Sequence, residues 1–363
     1  MSLVEKIQEM KLNIAKGYLV GVDIGLSAVK IATMAEGKKG TYKLEAYESF
    51  PLSEASIIED EVQKPEEIIE AIQSILSKNG IKRKIACLGM HGPNTVTKRL
   101  QVPDGDKEEV EDNIFWESEQ YIPFGADDAQ IGFSILGRSA EDDVVDAIVG
   151  AAKIDVVERY VGYLKEGGLH TRVVDLNVFA INNVFELCKE DQLEEISDEG
   201  AIIIDFGAQY TTLMVYRNGG PILTKEVNIG GVLITEEIQR SMGVSYEEAE
   251  DLKVNGDDNG NLPEEIIGIL ETHINRLMDE LRKVLNFYIA AGSSEQVGHC
   301  FITGGGARVP GIKEALQDLT DLQVEELNPL EIIEIKGNFS EIELEDMAYC
   351  GLVAIGLSMR RVD

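Results

Sequence analysis

Short apolar runs rich in β-branched residues recur along the first quarter of the chain, a pattern typical of buried β-strands. Four such runs cover residues 18–22, 29–34, 42–50 and 84–89. Residues 64–79 instead place apolar side chains at helical spacing and end before Gly80, which suits a helix C-terminus. This region therefore predicts a hairpin, a third strand beside it, one helix and a further buried strand.

The pattern of apolar and polar residues changes after residue 95. It predicts a strand at 96–102, a helix at 108–121, two strands at 129–136 and 144–151, and a helix at 154–164. Strand, helix, two strands and helix in so short a stretch predict a small α+β insert.

The rest of the chain repeats the opening theme. A strand at 171–175 and a helix at 177–188 lead to an acidic stretch, 189–199, which we interpret as a linker. Further predicted strands are 201–205, 211–217, 222–227 and 300–303; further predicted helices are 230–242, 245–253, 264–291, 311–319 and 348–360.

This repetition predicts an α/β protein of two lobes. We predict an N-terminal segment at 1–16 and a first lobe at 17–197, with the insert at about 97–170. The second lobe is expected at 198–345, and a C-terminal helix within 346–363 is expected to return to the first lobe.

Charge and cysteine content limit the function classes. The chain has 33 Lys and Arg against 66 Asp and Glu, a formal net charge of −33, which excludes nucleic acid as a partner and disfavours direct binding to an anionic membrane. The four cysteines are far apart, the four histidines show no metal-ligand spacing, and no apolar run is long enough to cross a bilayer. These features predict a cytosolic protein without membrane insertion.

Three glycine-bearing turns carry the candidate chemistry. Asp23 and Gly25 follow the first strand, Asp205 and Gly207 follow a later one, and a glycine triplet begins at Gly304. Glycine lets backbone N–H groups approach an anion, and a strand-end Asp can hold a hydrated Mg²⁺. Two Asp-x-Gly turns far apart in sequence predict two lobes that close on one phosphate chain.

Together these residues resemble the actin-like ATPase superfamily. The resemblance implies ATP and Mg²⁺ as ligands, with Asp23 and Asp205 holding Mg²⁺ through water. The nucleotide-binding residues that it implies are Asp23, Gly25, Ser27, Lys30, Asp205, Gly207, Thr211, Glu250, Lys253, Gly304, Gly305 and Gly306. The structural alternatives are that the two aspartates only form turns and that Glu250 and Lys253 form an ordinary ion pair on a helix.

The position of the insert in the first lobe resembles the type IV pilus assembly protein PilM family and the related cell-division protein FtsA. Residues 117–124, 151–160 and 174–180 favour PilM, and the chain ends at Asp363, where FtsA-type chains usually continue into a membrane-targeting helix. The PilM resemblance implies a cytoplasmic scaffold for twitching motility. It is expected to bind the N-terminal tail of the inner-membrane protein PilN, between the insert and the first-lobe core, and to link PilN to motor ATPases.

Two alternatives stay open at this point. One is an FtsA-like membrane anchor, and the other is a small-molecule kinase with Asp175 as its catalytic residue. The second phosphate turn continues with Ala208, Gln209 and Tyr210, without the usual second carboxylate, so we expect slow or no ATP hydrolysis.

Overall fold

The computed structural model describes residues 17–58, 60–139, 143–257, 260–290, 297–337 and 339–362. The N-terminal segment predicted at 1–16 lies outside the described residues. The chain divides into two compact units. The first comprises Met1–His91, Lys153–Phe185 and Pro329–Asp363; the second comprises Gly92–Ala152 and Glu186–Asn328.

The first unit is built on a six-stranded sheet of order β11-β7-β2-β3-β4-β17. Strands β2, β3 and β4 are antiparallel neighbours, whereas β2, β7 and β11 run parallel. The first unit as a whole, including two small two-stranded sheets, contains the strands β1 Gly17–Tyr18, β2 Val20–Ile24, β3 Ala28–Glu36, β4 Tyr42–Pro51, β5 Ile57–Ile58, β6 Glu61–Val62, β7 Ile85–Met90, β11 His170–Leu176, β17 Glu334–Ile335 and β18 Arg361–Val362. Its helices are α1 Pro65–Lys78, α3 Ile154–Glu166, α4 Asn177–Cys188, α10 Glu341–Cys350 and α11 Leu352–Ser358, of which α4 extends past the boundary of the unit.

The second unit contains a five-stranded sheet of order β14-β13-β12-β15-β16 and a three-stranded sheet of order β8-β10-β9. Its strands are β8 Thr95–Pro103, β9 Ala129–Ser139, β10 Val144–Lys153, β12 Ala201–Phe206, β13 Thr211–Arg217, β14 Gly220–Val227, β15 His299–Thr303 and β16 Val324–Glu326. Its helices are α2 Lys107–Glu119, α5 Leu193–Glu199, α6 Gly231–Met242, α7 Tyr246–Asn255, α8 Glu264–Ala290 and α9 Ile312–Thr320. The apolar stripe of the long helix α8 packs into the core of the five-stranded sheet.

The predicted α+β insert is confirmed as one helix on a three-stranded sheet. Asp106 and Glu109 form a capping box at the start of α2, and Val110 and Ile114 of that helix enter a small core of its own. Residues 92–152 group with the second unit, whereas α3 groups with the first. The predicted lobe bounds 17–197 and 198–345 stay predictions.

The interpretation of 189–199 as a linker is wrong. A short 3-10 turn at Glu190–Gln192 is followed by helix α5, which ends at Gly200 with φ +81°. The helix forms because Ile196 is buried and because Glu194 and Glu195 complement the positive end of the helix dipole. The acidic composition of this stretch suggested a loop, whereas it forms a helix with one buried apolar residue.

The single terminal helix predicted at 348–360 is also wrong. Helix α10 ends at Cys350, α11 begins at Leu352, and the chain then forms β18 against β1. A Cβ on Gly351, between the helices, would lie 2.9 Å from the ring of Tyr47, so the chain changes direction there in a tight space.

Candidate phosphate-binding turns

The first turn joins β2 to β3. Asp23 and Lys30 face each other in register across this hairpin, and the Gly25 N–H donates to the Ala28 carbonyl at 3.0 Å. Lys30 Nζ lies 3.2 Å from Asp23 Oδ2, and the Asp23 side chain is only 5% exposed. Ser27 lies exposed at the tip of the turn. The structure therefore brings the predicted lysine and aspartate of the first turn into one ion pair.

Sequence reasoning missed Asn177, the first residue of α4. Its Nδ2 donates to Asp23 Oδ1 at 3.3 Å, whereas its buried Oδ1 has no hydrogen-bond partner. A Cβ on Gly89 would lie 2.2 Å from that Oδ1, so the glycine leaves room for the amide. The signal that could have found Asn177 is topological, because the carboxyl ends of parallel β2, β7 and β11 meet at one edge of the sheet.

Asp175, the residue named for a kinase, is engaged elsewhere. Its Oδ2 accepts a hydrogen bond from Arg360 Nε at 2.5 Å, its Oδ1 accepts one from the Leu176 N–H at 2.9 Å, and the residue is buried. A carboxylate that is paired with a guanidinium is a poor general base. Its contacts instead fasten the chain after α11 to the sheet.

The second turn joins β12 to β13. The Gly207 N–H donates to the Tyr210 carbonyl at 2.9 Å, and a Cβ on Gly207 would lie 2.7 Å from that oxygen, so the turn needs glycine. Thr211 is fully buried, and its hydroxyl donates to the Ile229 carbonyl at 2.7 Å. Thr211 thus serves the fold of the turn itself.

The glycine triplet lies against the second turn. Gly304 has φ +87°, and a Cβ there would lie 2.3 Å from Asp205 Oδ1. A Cβ on Gly306 would lie 2.9 Å from the Phe206 carbonyl, and Gly305 begins a 3-10 turn. The two motifs, about a hundred residues apart in sequence, are therefore in direct contact, and their closeness depends on the missing side chains.

Glu250 and Lys253 form the expected pair, but the lysine is buried. Lys253 Nζ lies 2.6 Å from Glu250 Oε2 and 2.9 Å from the Thr235 hydroxyl, with only 6% of its side chain exposed. It also donates to the Gly231 carbonyl at 3.4 Å, and the Gly231 N–H donates to Gly207 O at 3.1 Å. Hydrogen bonds thus connect helix α7 to the second turn through the start of α6.

A small, mainly apolar cavity lies beneath the second turn. His273 of helix α8 borders it, its Nδ1 is buried without a hydrogen-bond partner, and burial lowers the pKa of this histidine. The cavity is lined by Phe206, Gly207, Thr211, Ile229, Gly230, Gly231, Ile234, His273, Ile274, Leu277, Gly306 and Ile312.

Within the described residues, no group of three or more His, Cys, Asp or Glu side chains could hold a metal ion by itself. Asp23 lies in the first unit and Asp205 in the second. In the described part of the chain, no helix has the length and apolar character needed to cross a membrane.

The fold and these turns define an actin-like protein. A solved structure of the ethanolamine utilization protein EutJ from Carboxydothermus hydrogenoformans has the same fold, with a TM-score of 0.55 over 98% of each chain at 13% identity. The chain belongs to the type IV pilus assembly protein PilM family, whose model matches residues 21–362. A chain of the solved PilM-PilN type IV pilus biogenesis complex is similar to it with a TM-score of 0.81 and 25% identity, covering 95% of this chain and 99% of that one.

Cell-division proteins FtsA are more distant relatives. The protein of Enterococcus faecalis is 28% identical over 149 residues, which is 35% of this chain and 33% of that protein. The protein of Bacillus subtilis is 26% identical over 152 residues, 36% of this chain and 34% of the relative. The matched part thus spans about a third of these two relatives.

Proposed function

We propose that this protein is a cytoplasmic ATP-binding scaffold of the type IV pilus machine, which binds the N-terminal tail of PilN and is recruited to the inner membrane through it. The observation that carries the proposal is the similarity, over 95% of the chain, to a protein solved in a PilM-PilN complex. Family membership over residues 21–362 supports the same role in pilus assembly. Contact with the pilus motor ATPases is the part that we base on the family resemblance alone.

The residues present fit ATP and Mg²⁺. Lys30 supplies an ammonium and Asn177 an amide beside the buried Asp23 carboxylate, and the orphaned Asn177 Oδ1 has hydrogen-bonding capacity left for a bound group. Phosphate accepts such donors, and carboxylates suit the water shell of Mg²⁺. When bound, Mg²⁺-ATP would supply a polyphosphate chain for these donors to hold.

In the second unit, the glycine triplet packs closely against Asp205 and the residue after it. Gly304 and Gly306 lie against Asp205 and Phe206, and Gly207 closes its own turn tightly. We propose that Asp205 holds Mg²⁺ through water and that Glu250, whose side chain is 46% exposed, contacts the ribose. Lys253 is then a positioning residue, because its ammonium is engaged by Glu250, Thr235 and Gly231.

We further propose that ATP acts mainly as a clamp. The second turn offers Ala208, Gln209 and Tyr210 where a second carboxylate would activate water, and the Gln209 amide donates to the Tyr210 hydroxyl at 3.1 Å. Asp175 is paired with Arg360, which disfavours the kinase alternative.

An FtsA-like anchor is the second candidate, because FtsA proteins match part of the chain.

Titration calorimetry with a synthetic PilN N-terminal tail from the same organism tests the proposal. We expect one tail per chain to bind with a micromolar or tighter dissociation constant, on the order of −8 kcal/mol. Failure of the tail to bind, together with binding to a tubulin-like division protein, would support the anchor instead.

A further inference from the structure

The insert is joined to the first unit by the chain but packs with the second. The chain enters it from β7 and leaves it into α3, both elements of the first unit, whereas residues 92–152 group with the second unit. One face of the insert sheet packs against helix α2, through Leu100, Val102, Val145, Ala147 and Val149. Because side chains alternate along a strand, Arg99 of β8 and Asp146 of β10 lie on the opposite face.

Arg99 joins the insert to the tip of the β13–β14 hairpin. Its Nε donates to Asp146 Oδ1 at 2.9 Å, and its Nη2 is paired with the other oxygen of the same carboxylate. Its Nη1 donates to the Arg217 carbonyl at 2.9 Å and its Nη2 to the Asn218 carbonyl at 3.0 Å. The arginine side chain is only 14% exposed, so water and salt screen these charged contacts little.

The hairpin tip that Arg99 contacts is itself fixed. Asn218 and Gly219, with φ of +49° and +73°, form a two-residue turn between the strands. Helix α5 fastens this turn as well, since the Ser197 carbonyl accepts the Asn218 N–H at 3.0 Å and the Ser197 hydroxyl accepts the Gly219 N–H at 2.8 Å. Arg99 therefore connects the insert to an ordered element rather than to a loose loop.

The other end of the same hairpin forms part of the second turn. Strand β13 begins at Thr211, whose hydroxyl donates to the carbonyl of Ile229, just after β14, at 2.7 Å. Near this end the Gly92 N–H donates to Glu226 Oε1 at 3.1 Å, and Glu226 is paired with Thr212. The insert region thus contacts the hairpin at its tip and again beside the second turn.

These contacts give the second turn a physical connection to the insert. A ligand that binds only the ordered turn stabilises every element whose local opening would disturb that turn. The hairpin is such an element because its strands lead directly out of the turn. The insert shares in this stabilisation as long as its charged contact with the hairpin holds.

We infer that Arg99 is a positioning residue through which the second phosphate turn controls the insert, so that nucleotide bound at the turn also stabilises the insert. The inference rests on the proposed function, since it needs Mg²⁺-ATP at the second turn. It adds that the order of the insert depends on nucleotide occupancy, although Arg99 itself does not touch the nucleotide.

Hydrogen exchange of the full chain, with and without Mg²⁺-ATP, tests this coupling. In the wild type, nucleotide at a hundredfold excess over its dissociation constant should slow exchange of the β8 and β10 amides by about tenfold or more. Arg99→Lys keeps a positive charge beside Asp146 but loses the planar group that reaches both carbonyls, and should reduce that slowing to about twofold or less. Strands β12 and β15, which lead to the second turn and the glycine triplet, should be slowed alike in both proteins.

Two further variants complete the test. Arg138→Lys is the matched control, because Arg138 is paired with Asp104 inside the insert, and it should keep the wild-type response. Asp146→Asn leaves Arg99 in place but removes the charge that orients it, so part of the slowing should be lost. If Arg99→Lys does not fold, the response of Asp146→Asn decides in its place.

The outcomes separate this inference from the proposed function. Slowing of β12 and β15 in the wild type without slowing of β8 and β10, or equal slowing of β8 and β10 in the wild type and the Arg99 variant, would overturn the inference and leave nucleotide binding intact. Wild-type protein in which nucleotide slows none of these strands would overturn ATP binding at the second turn and this inference together.

Discussion

Both carboxylate oxygens of Asp23, in the first turn, are engaged by groups that also suit phosphate. Lys30 approaches one oxygen at 3.2 Å and Asn177 the other at 3.3 Å. A bound phosphate would compete for the same donors, so we expect nucleotide binding to loosen the contacts of Lys30 and Asn177 with Asp23.

Lys30→Ala is therefore expected to lower the affinity for ATP by about ten- to a hundredfold, because it removes a charged hydrogen bond that contributes roughly 1.5–3 kcal/mol. Adenosine should bind as before, because it lacks the phosphates. Calorimetry with both ligands measures the contrast. An equal loss of affinity for ATP and adenosine would show that Lys30 does not contact phosphate.

His273 gives the fold a pH dependence. Burial lowers its pKa in the folded state, with smaller opposing effects from Glu237, which raises it, and Arg276, which lowers it. The unfolded chain then binds a proton more readily, so this residue stabilises the fold at pH values above about 6.5, and that stability is lost as the pH falls toward the lower, folded pKa. His273→Gln should flatten the fall in unfolding free energy between about pH 7.5 and 5.5, as measured by urea denaturation. A profile as steep as that of the wild type would contradict the assignment.

At the residue scale, the sequence pattern located the glycine-bearing turns better than it predicted the contacts of individual side chains. The glycines at 25, 207 and 304 are where the turns require them. The Thr211 hydroxyl donates to the Ile229 carbonyl, and Lys253 is buried by contacts that no local spacing reveals. Asn177 was missed because its contact with Asp23 spans 154 residues.

At the scale of elements, helix α11 is placed by contacts that leave no space for side chains. A Cβ on Gly356 would lie 2.3 Å from the Ala180 carbonyl, and one on Gly21 would lie 2.2 Å from the Ala354 carbonyl. Small residues thus let α11 approach both α4 and β2 at backbone distance.

Gly356→Ala should lower the free energy of unfolding by about 1–3 kcal/mol, because the added methyl group forces these backbones apart. The matched control is Gly268→Ala in helix α8, where a Cβ meets no atom within 4 Å. That change should raise the free energy of unfolding by about 0.5–1 kcal/mol, since alanine favours a helix over glycine. Denaturant unfolding measures both, and stabilisation by Gly356→Ala would contradict the packing described.

The elements that periodicity predicted are those with strong apolar stripes, such as α8 and the strands of both main sheets. The errors fall on short or polar elements. Helix α5 has only one buried residue, and strands β16 and β17 are three and two residues long and form through pairing partners distant in sequence. The local pattern of apolar and polar residues does not show which distant segments will pair.

At the scale of the whole molecule, we propose that the protein is a nucleotide clamp rather than a fast enzyme. Mg²⁺-ATP at a hundredfold excess over its dissociation constant should raise the free energy of unfolding by about 2.7 kcal/mol. Turnover should stay far below the order of ten per second that is common for enzymes. Thermal unfolding with and without nucleotide and a phosphate-release assay measure the two quantities; rapid turnover would contradict the clamp.

The proposed place of this protein in the pilus machine is tested most directly by capture of the tagged full chain from membranes of its own organism, with the bound proteins identified by mass spectrometry. We expect that a small inner-membrane protein with a basic, extended N-terminal tail, a PilN, is recovered in stoichiometric amount and is released by competing tail peptide. Recovery of a tubulin-like division protein with no pilus membrane protein would contradict it.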